Sequence, residues 1–178
     1  MTIVPDTKDW TWVIQRRCPE CGFDASSVRG PEVPALIREN ALAWRDLLAR
    51  ADPRVATRPS PDRWSTLEYG CHVRDVYRIF HRRLKLMLTQ DDPTFENWDQ
   101  DSTAVQDRYG EQDPAVVADE LHAAALALAD AFQAVDGQQW QRTGNRTDGA
   151  RFTVDTFARY LAHDPIHHLY DVGGKSRK

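Results

Sequence analysis

The chain has 178 residues, 41% of them hydrophobic, and a formal net charge of −4. This length and apolar content fit one domain with one hydrophobic core and are too small for two domains of ordinary size. No stretch approaches the roughly 18 apolar residues of a membrane span, and the first residues lack the pattern of a signal peptide. We therefore expect a cytoplasmic protein with no membrane partner, and the acidic charge argues against a nucleic-acid partner.

The three cysteines are too few and too unevenly spaced for a secreted disulfide framework, which indicates a reducing compartment. Cys18 and Cys21 form the segment CPEC, which matches half of a zinc knuckle. The segment can be a knuckle-like turn without metal, a structural zinc site or a redox pair. A second metal site on Cys18 and Cys21 would need further ligands from Cys71, from a histidine such as His81 or His122, or from another subunit.

Hydrophobic periodicity predicts four long helices. Apolar residues recur every three or four positions between Glu32 and Arg50, which predicts helix one. Ser65 and Glu68 have the spacing of a capping box, so helix two starts at Thr66.

The other two helices follow a long polar connection. Pro114 opens an alanine-rich third helix that ends before Gly137. Thr153 can cap a fourth helix that runs to Gly173 and Gly174.

Four long helices predict an all-α fold, a four-helix bundle formed by residues 32–178 within a single domain of residues 1–178. Residues 1–31 form an N-terminal extension that carries the CPEC segment. Clustered β-forming residues predict a short strand or hairpin in this extension, packed on the bundle through Trp10 and Trp12.

Histidines in the second and fourth helices are candidate metal ligands. His163 and His167 are four residues apart, so they project from one helix face at a spacing that lets two imidazoles share a metal. His72 lies on the apolar stripe of helix two and can complete a three-histidine site. Its alternative role is that of a hydrogen-bonded core histidine.

A straight helical wheel favours a different pair in helix four. His168 falls on the apolar side, whereas His163 and His167 lie nearly opposite, so Asp164 and His168 would face inward more naturally. Pro165 complicates this geometry because it cannot donate a backbone hydrogen bond and its ring crowds the preceding turn. We predict a kink or a fresh helix start at Asp164 that brings His163 and His167 toward His72.

Two motifs resemble those of a known family. W-S-x-x-E-x-x-x-H in helix two (Trp64 to His72) and H-x3-H-H in helix four (His163 to His168) resemble the DinB-like superfamily, which includes the mycothiol-dependent maleylpyruvate isomerase type. Helix order and length match over about residues 32–172. The segments CPECGFD, NWDQD, RYGEQDP and HDPIHHLYDV are similar to a subgroup often found in actinobacteria.

The resemblance implies a bundle whose pocket holds a divalent metal, zinc or nickel, on His72, His163 and His167. Three imidazoles leave a position for water or a thiolate, which is typical of a catalytic site. Pro165 departs from the family pattern and puts the local helix geometry in question.

Neighbouring residues can orient these imidazoles. Asp75, Asp164 and His168 are candidates to accept a ring N–H. Asp75 can instead pair with Arg78 or Arg82 on the surface, and Asp164 can instead cap a helix before Pro165.

Two further groups of residues can contact a substrate; their alternative roles are ordinary loop packing for the first group and surface solubility for the second. The long connection offers five residues to roof the pocket: Trp98, Asp99, Asp101, Arg108 and Tyr109. Arg142, Arg146 and Arg151 can hold a carboxylate.

Three functions remain open at this point. In the first, the chain is an enzyme of the transferase, isomerase or hydrolase type, whose metal activates water or a low-molecular-weight thiol such as mycothiol against a small-molecule substrate. In the second, it is a metal-binding or stress-associated helical protein without turnover. In the third, it is a helical interaction protein with no metal. A homodimer is compatible with all three.

Overall fold

Five α-helices account for most of the described chain. The computed structural model describes residues 9–50 and 52–173; residues 1–8 of the predicted extension and Gly174 lie outside this part. The helices are α1 (Val33–Leu48), α2 (Thr66–Thr89), α3 (Gln100–Gln106), α4 (Pro114–Gln133) and α5 (Val154–Asp171).

Side-chain caps determine where the long helices begin. The Glu68 N–H donates to Ser65 Oγ at 3.2 Å and the Ser65 N–H donates to the Glu68 carboxylate at 2.8 Å, so the predicted capping box starts α2 at Thr66. Thr153 Oγ1 accepts from the Thr156 N–H at 3.1 Å and starts α5. These two predicted helix starts are confirmed.

The helices α1, α2, α4 and α5 pack around one apolar core, which confirms the predicted helical bundle. Trp44, Tyr77, Phe132 and Phe157 are the largest aromatic side chains of the bundle helices that are fully buried in it. No helix in residues 9–50 and 52–173 is long and apolar enough to cross a membrane.

A small sheet beside the bundle was not predicted. It contains β1 (Thr94–Phe95), β2 (Thr143–Arg146) and β3 (Arg151–Thr153), with β2 in the middle, parallel to β1 and antiparallel to β3. Strands of two to four residues are too short to show a period of two in the sequence. The sheet ties the connection after α2 to the start of α5.

The N-terminal extension forms turns and 3₁₀ helices, so the predicted strand or hairpin is wrong for residues 9–31. The 3₁₀ segments are Thr11–Ile14, Ala25–Ser27 and Gly30–Glu32. Their backbone groups are satisfied by local turns and by side chains of α5 instead of a strand partner. Arg159 donates to the Ile14 carbonyl at 2.6 Å and Asp155 accepts from the Gly30 N–H at 2.7 Å, which attaches the extension to α5.

Helix α5 runs unbroken through Pro165, so the fresh helix start predicted at Asp164 is wrong. The Pro165 carbonyl oxygen accepts hydrogen bonds from Asn40 Nδ2 and Trp44 Nε1, both at 3.1 Å. The Tyr77 hydroxyl in turn donates to Asn40 Oδ1 at 2.9 Å. Buried polar side chains of α1 and α2 therefore hold α5 in place at its proline.

We expect Asn40→Ala to lower the free energy of unfolding by about 1–3 kcal/mol, because it leaves the buried Tyr77 hydroxyl without its acceptor and removes one donor to Pro165. Urea unfolding followed by circular dichroism measures this change. Arg45→Ala, an exposed change on the same helix, should stay within about 0.5 kcal/mol of wild type. Equal stability of the two variants would show that the buried network contributes nothing.

Candidate metal centres

Helix α5 contributes one pair of side chains to each of two separate groups of possible metal ligands. Each group brings together nitrogen, oxygen or sulfur atoms that all lie within 4.8 Å of one another. His72, Asp164 and His168 form the first group, here called the His72 cluster. Cys18, Cys21, His163 and His167 form the second, here called the cysteine cluster.

The His72 cluster joins α2 to α5. His72 Nε2 lies 3.4 Å from Asp164 Oδ1, and His168 Nε2 lies 3.9 Å from Asp164 Oδ2. The side chain of His72 is 1% exposed, whereas those of Asp164 and His168 are 33% and 21% exposed. The cluster is therefore closed on the α2 side and open to solvent on the α5 side.

Buried polar atoms in this cluster lack hydrogen-bond partners. Within the described part of the chain, neither ring nitrogen of His72 has a partner, and neither does Asp164 Oδ1. Such atoms are rare in folded proteins because leaving one unsatisfied costs about 1–3 kcal/mol. Two imidazoles and a carboxylate whose atoms face one another are a donor set that fits a divalent metal.

Electrostatics and a second carboxylate support this arrangement. Burial alone raises the pKa of Asp164, but the neighbouring His72 and His168 outweigh it, and the net pKa lies below its usual range. Asp171 Oδ2 lies 3.0 Å from His168 Nδ1, which directs the Nε2 edge of that ring toward Asp164. Asp164 is thus a ready anion and His168 an oriented ligand.

Aromatic rings enclose His72. Trp98 stacks on its ring, with centroids 5.2 Å apart and planes 10° apart, and Trp64 lies at 5.5 Å. Tyr69 packs on His168 at 4.9 Å. These rings restrict the imidazole positions and keep bulk water from one side of the cluster.

The cysteine cluster joins the N-terminal extension to α5. Cys18 Sγ lies 3.7 Å from His167 Nδ1, and Trp10 packs on both imidazoles at 5.0–5.4 Å. Burial raises the pKa of the Cys21 thiol to about 11 and lowers that of His163 to about 4. His163 is therefore neutral near pH 7 and has a nitrogen lone pair available.

The predicted ligand set of His72, His163 and His167 is divided between these clusters. Successive residues of an α-helix are rotated by about 100°, so the pair at 163 and 167 faces a different neighbour from the pair at 164 and 168. Because α5 is not restarted at Asp164, the first pair meets the extension and the second meets His72. Asp164 and His168, the pair that a straight helical wheel places inward, are the residues that face α2.

Asp75 takes the second of its two predicted roles, a pair with Arg78, and does not orient His72. Its carboxylate accepts from Arg74 at 3.0 Å and from the Tyr109 hydroxyl at 2.6 Å, and it pairs with Arg78 at 3.4 Å. Since His72 has no hydrogen-bond partner among the described residues, Asp75 does not orient its ring. Asp75 belongs to a charge network next to the cluster.

Of the predicted zinc-completing residues, Cys71, His81 and His122 stay outside both groups. Cys71 is fully buried, its Sγ lies 3.7 Å from the Tyr109 carbonyl oxygen, and burial raises the pKa of its thiol to about 12. It is a packed core residue.

Both clusters border one open cavity of about 880 Å³. Trp98, Asp99 and Asp101 line it as predicted, whereas Arg108 and Tyr109 are not among its lining residues. Eight carboxylates face it together with a single guanidinium, that of Arg146, among the described lining residues. The carboxylates are Asp9, Glu20, Asp62, Asp99, Asp101, Asp148, Asp164 and Asp171. A cavity lined in this way has a negative potential that attracts cations.

Each of the predicted carboxylate-binding arginines is engaged with a protein group, and of the three only Arg146 lines the cavity. Arg142 donates to the Met87 carbonyl at 2.6 Å, Arg151 pairs with Asp92 at 3.0 Å, and Arg146 pairs with Asp148 at 2.8 Å. A clamp made of these three residues is not present in the structure.

Two site residues, Asp171 and Glu20, had no role assigned at the sequence level, although each left a signal. Asp171 lies three and four residues after His168 and His167, the spacing at which side chains of one helix face meet. Glu20 lies inside the CPEC segment, and its carboxylate is 3.6 Å from His167 Nε2. Trp10 was predicted to pack on the bundle and does so on the His163 and His167 rings. Which residues it contacts depends on long-range folding and left no local signal.

Comparisons with known proteins agree with this architecture. YfiT from Bacillus subtilis, described as a probable metal-dependent hydrolase with an unusual four-helix bundle topology, is similar in structure with a TM-score of 0.63. The alignment covers 97% of this chain and 92% of that one at 17% sequence identity, and shows a shared fold. Among curated proteins no sequence matches. The family model of the DinB superfamily matches residues 36–172, well over half of the chain, and the chain therefore belongs to the DinB superfamily.

Proposed function

We propose that this chain is a divalent-metal-dependent enzyme that binds its metal through His72, Asp164 and His168. The observation that carries the proposal is the buried His72 ring, which has no hydrogen-bond partner among the described residues and lies 3.4 Å from an Asp164 oxygen that has none either. A core histidine of purely structural function would donate or accept a hydrogen bond. Zinc and nickel both suit a set of two imidazoles and one carboxylate.

The number and exposure of the donors favour catalysis over a purely structural site. Three protein ligands are typical of catalytic zinc sites, whereas structural sites are closed by four. Asp164 and His168 are partly exposed and line the cavity, so a small molecule can reach the cluster. These features weigh against the alternative of a metal-binding or stress-associated protein without turnover.

The surrounding residues hold the donors and shield them. Asp171 orients His168 through Nδ1, and Trp98 covers the His72 ring. Asp164 supplies one negative charge next to two imidazole donors, and this charge partly balances a divalent cation. The other carboxylates of the cavity raise the local cation concentration.

A divalent cation bound here supplies Lewis acidity, which activates water or a thiol for attack near neutral pH. The structural similarity to a probable metal-dependent hydrolase favours water. The superfamily resemblance favours a low-molecular-weight thiol such as mycothiol and a transfer or isomerisation. Water and a thiol are both possible nucleophiles at this centre, and the dependence of turnover on added thiol distinguishes them.

We expect His72→Ala and Asp164→Ala each to lose about one equivalent of zinc or nickel per chain relative to wild type. Mutation of a residue that only hydrogen-bonds to a metal ligand typically lowers metal affinity about 10–100-fold. Each change here removes a ligand itself, so the loss of affinity should be larger. Plasma mass spectrometry after dialysis of untagged protein measures the bound metal. His81→Ala, on the same helix as His72 but outside both clusters, is the matched control and should keep the wild-type content.

The double variant His72→Ala/His163→Ala separates this ligand set from the three-histidine set. If His72 and His163 belong to separate sites, the metal lost in the double variant should equal the sum of the losses in His72→Ala and His163→Ala. If His72, His163 and His167 bind one shared metal, the double variant should lose no more metal than either single variant. Wild-type metal content in His72→Ala and Asp164→Ala would refute the proposed centre.

We expect any hydrolysis or thiol transfer found in a screen of esters, amides and thiol acceptors to require the metal. A chelator should abolish it, added zinc or nickel should restore it, and His72→Ala should lower kcat/KM at least about 100-fold. Turnover that depends on added thiol identifies the transferase type. Undiminished turnover in His72→Ala, with His81→Ala as control, would contradict the assignment.

A further inference from the structure

We propose that Cys18, Cys21, His163 and His167 form a second metal site, a closed structural zinc site that attaches the N-terminal extension to α5. The site uses none of the ligands of the His72 cluster and does not depend on the proposed activity. It extends the CPEC half-knuckle with two histidines from the far end of the chain.

The four donor atoms already lie near zinc-binding distances. All four are within 4.8 Å of one another, and Cys18 Sγ is 3.7 Å from His167 Nδ1. Around a tetrahedral zinc with ordinary bond lengths, neighbouring ligand atoms lie about 3.3–3.8 Å apart. Side-chain shifts of about 1 Å or less would bring the set to that geometry.

The CPEC turn is shaped like a metal-binding knuckle. The Gly22 N–H donates to the Cys18 carbonyl and the Cys18 N–H donates to the Phe23 carbonyl, both at 2.9 Å. Gly22 has φ +75°, a left-handed conformation that glycine adopts without strain. The turn thereby directs both thiols toward α5 without help from a strand partner.

The two histidines are placed to act as ligands. His163 Nε2 is buried and has no hydrogen-bond partner among the residues that the structure describes. His167 presents Nδ1 to Cys18, while its Nε2 lies 3.7 Å from Asp171 and 3.6 Å from Glu20. A carboxylate behind an imidazole is the usual arrangement for a metal-bound histidine.

The donor chemistry selects zinc and a structural site. Two thiolates and two imidazoles are a common structural zinc set, and four protein ligands leave no position for a substrate. A redox pair would need only the two thiols and leaves the buried histidines unexplained. Trp10 covers the cluster from the extension, so the site is partly shielded as well as complete.

Titration of the metal-free full-length chain with cobalt(II) tests the site directly, because only thiolate ligands give a thiolate-to-cobalt charge-transfer absorption. We expect this absorption in wild type and its loss in Cys18→Ser/Cys21→Ser. It should be altered in His163→Ala and in His167→Ala. Cys71→Ala removes the buried cysteine outside the site and should leave this charge-transfer absorption unchanged, as should His72→Ala, which removes a ligand of the other centre only.

Zinc should also stabilise the fold through this site. At a hundredfold excess over Kd we expect the zinc-induced rise in Tm to be about 5–10 °C smaller in Cys18→Ser/Cys21→Ser than in Cys71→Ala. A second test uses wild-type protein, so it does not depend on the folding of a variant. A chelator should make Cys21 reactive toward an alkylating reagent and leave the reactivity of Cys71 unchanged.

Three results would overturn the inference. The first is the absence of charge-transfer absorption in wild type. The second is an unchanged spectrum in Cys18→Ser/Cys21→Ser. The third is an unchanged spectrum in both His163→Ala and His167→Ala, which would show that the thiols bind metal without these histidines.

Discussion

The rotation of about 100° between successive residues of α5 determines how the rest of the site is arranged. His163 and His167 share one helix face, and Asp164 and His168 share the next, so one and a half turns of helix present four metal-binding side chains in two directions. One direction faces the extension and the other faces α2. The position of α5 is held by the buried hydrogen bonds that Asn40 and Trp44 donate to the Pro165 carbonyl. Because Pro165 lies between the two members of each pair, these bonds hold the helix segment that carries both pairs.

Local signals were sufficient to predict the four long helices and the histidines and cysteines of the two clusters, but not the bounds of the short helix α3. Ser65 with Glu68 and Thr153 with Thr156 act within three residues, so the starts of α2 and α5 can be predicted from the sequence alone. The spacing of His163 and His167 likewise indicates a shared face. The neighbour of that face cannot be predicted locally, because Cys18 and His167 are 149 residues apart in the chain. For the same reason, the extension could not be distinguished from a hairpin.

Segments outside the bundle complete each cluster. Trp98 lies in the connection after α2 and covers His72, while Trp10 lies in the extension and covers His163 and His167. The bundle alone would leave both clusters open, because α2 and α5 supply ligands but few covering rings. The short sheet has a corresponding role, since the pairing of β1 with β2 holds the segment just before Trp98 against the start of α5. Loops positioned by a rigid scaffold thus build the walls of the cavity.

Asp171 connects the two clusters physically. Its Oδ2 atom lies 3.0 Å from His168 Nδ1 and 3.7 Å from His167 Nε2, so one carboxylate faces an imidazole of each cluster. Burial alone raises the pKa of Asp171, but the hydrogen bond and charge of His168 outweigh burial, so the net pKa lies below its usual range and the group stays ionised. A buried carboxylate is stable only when its charge is compensated. The charge of Asp171 is compensated by one imidazole from each cluster. A single side chain is therefore the shared boundary of the His72 cluster and the cysteine cluster.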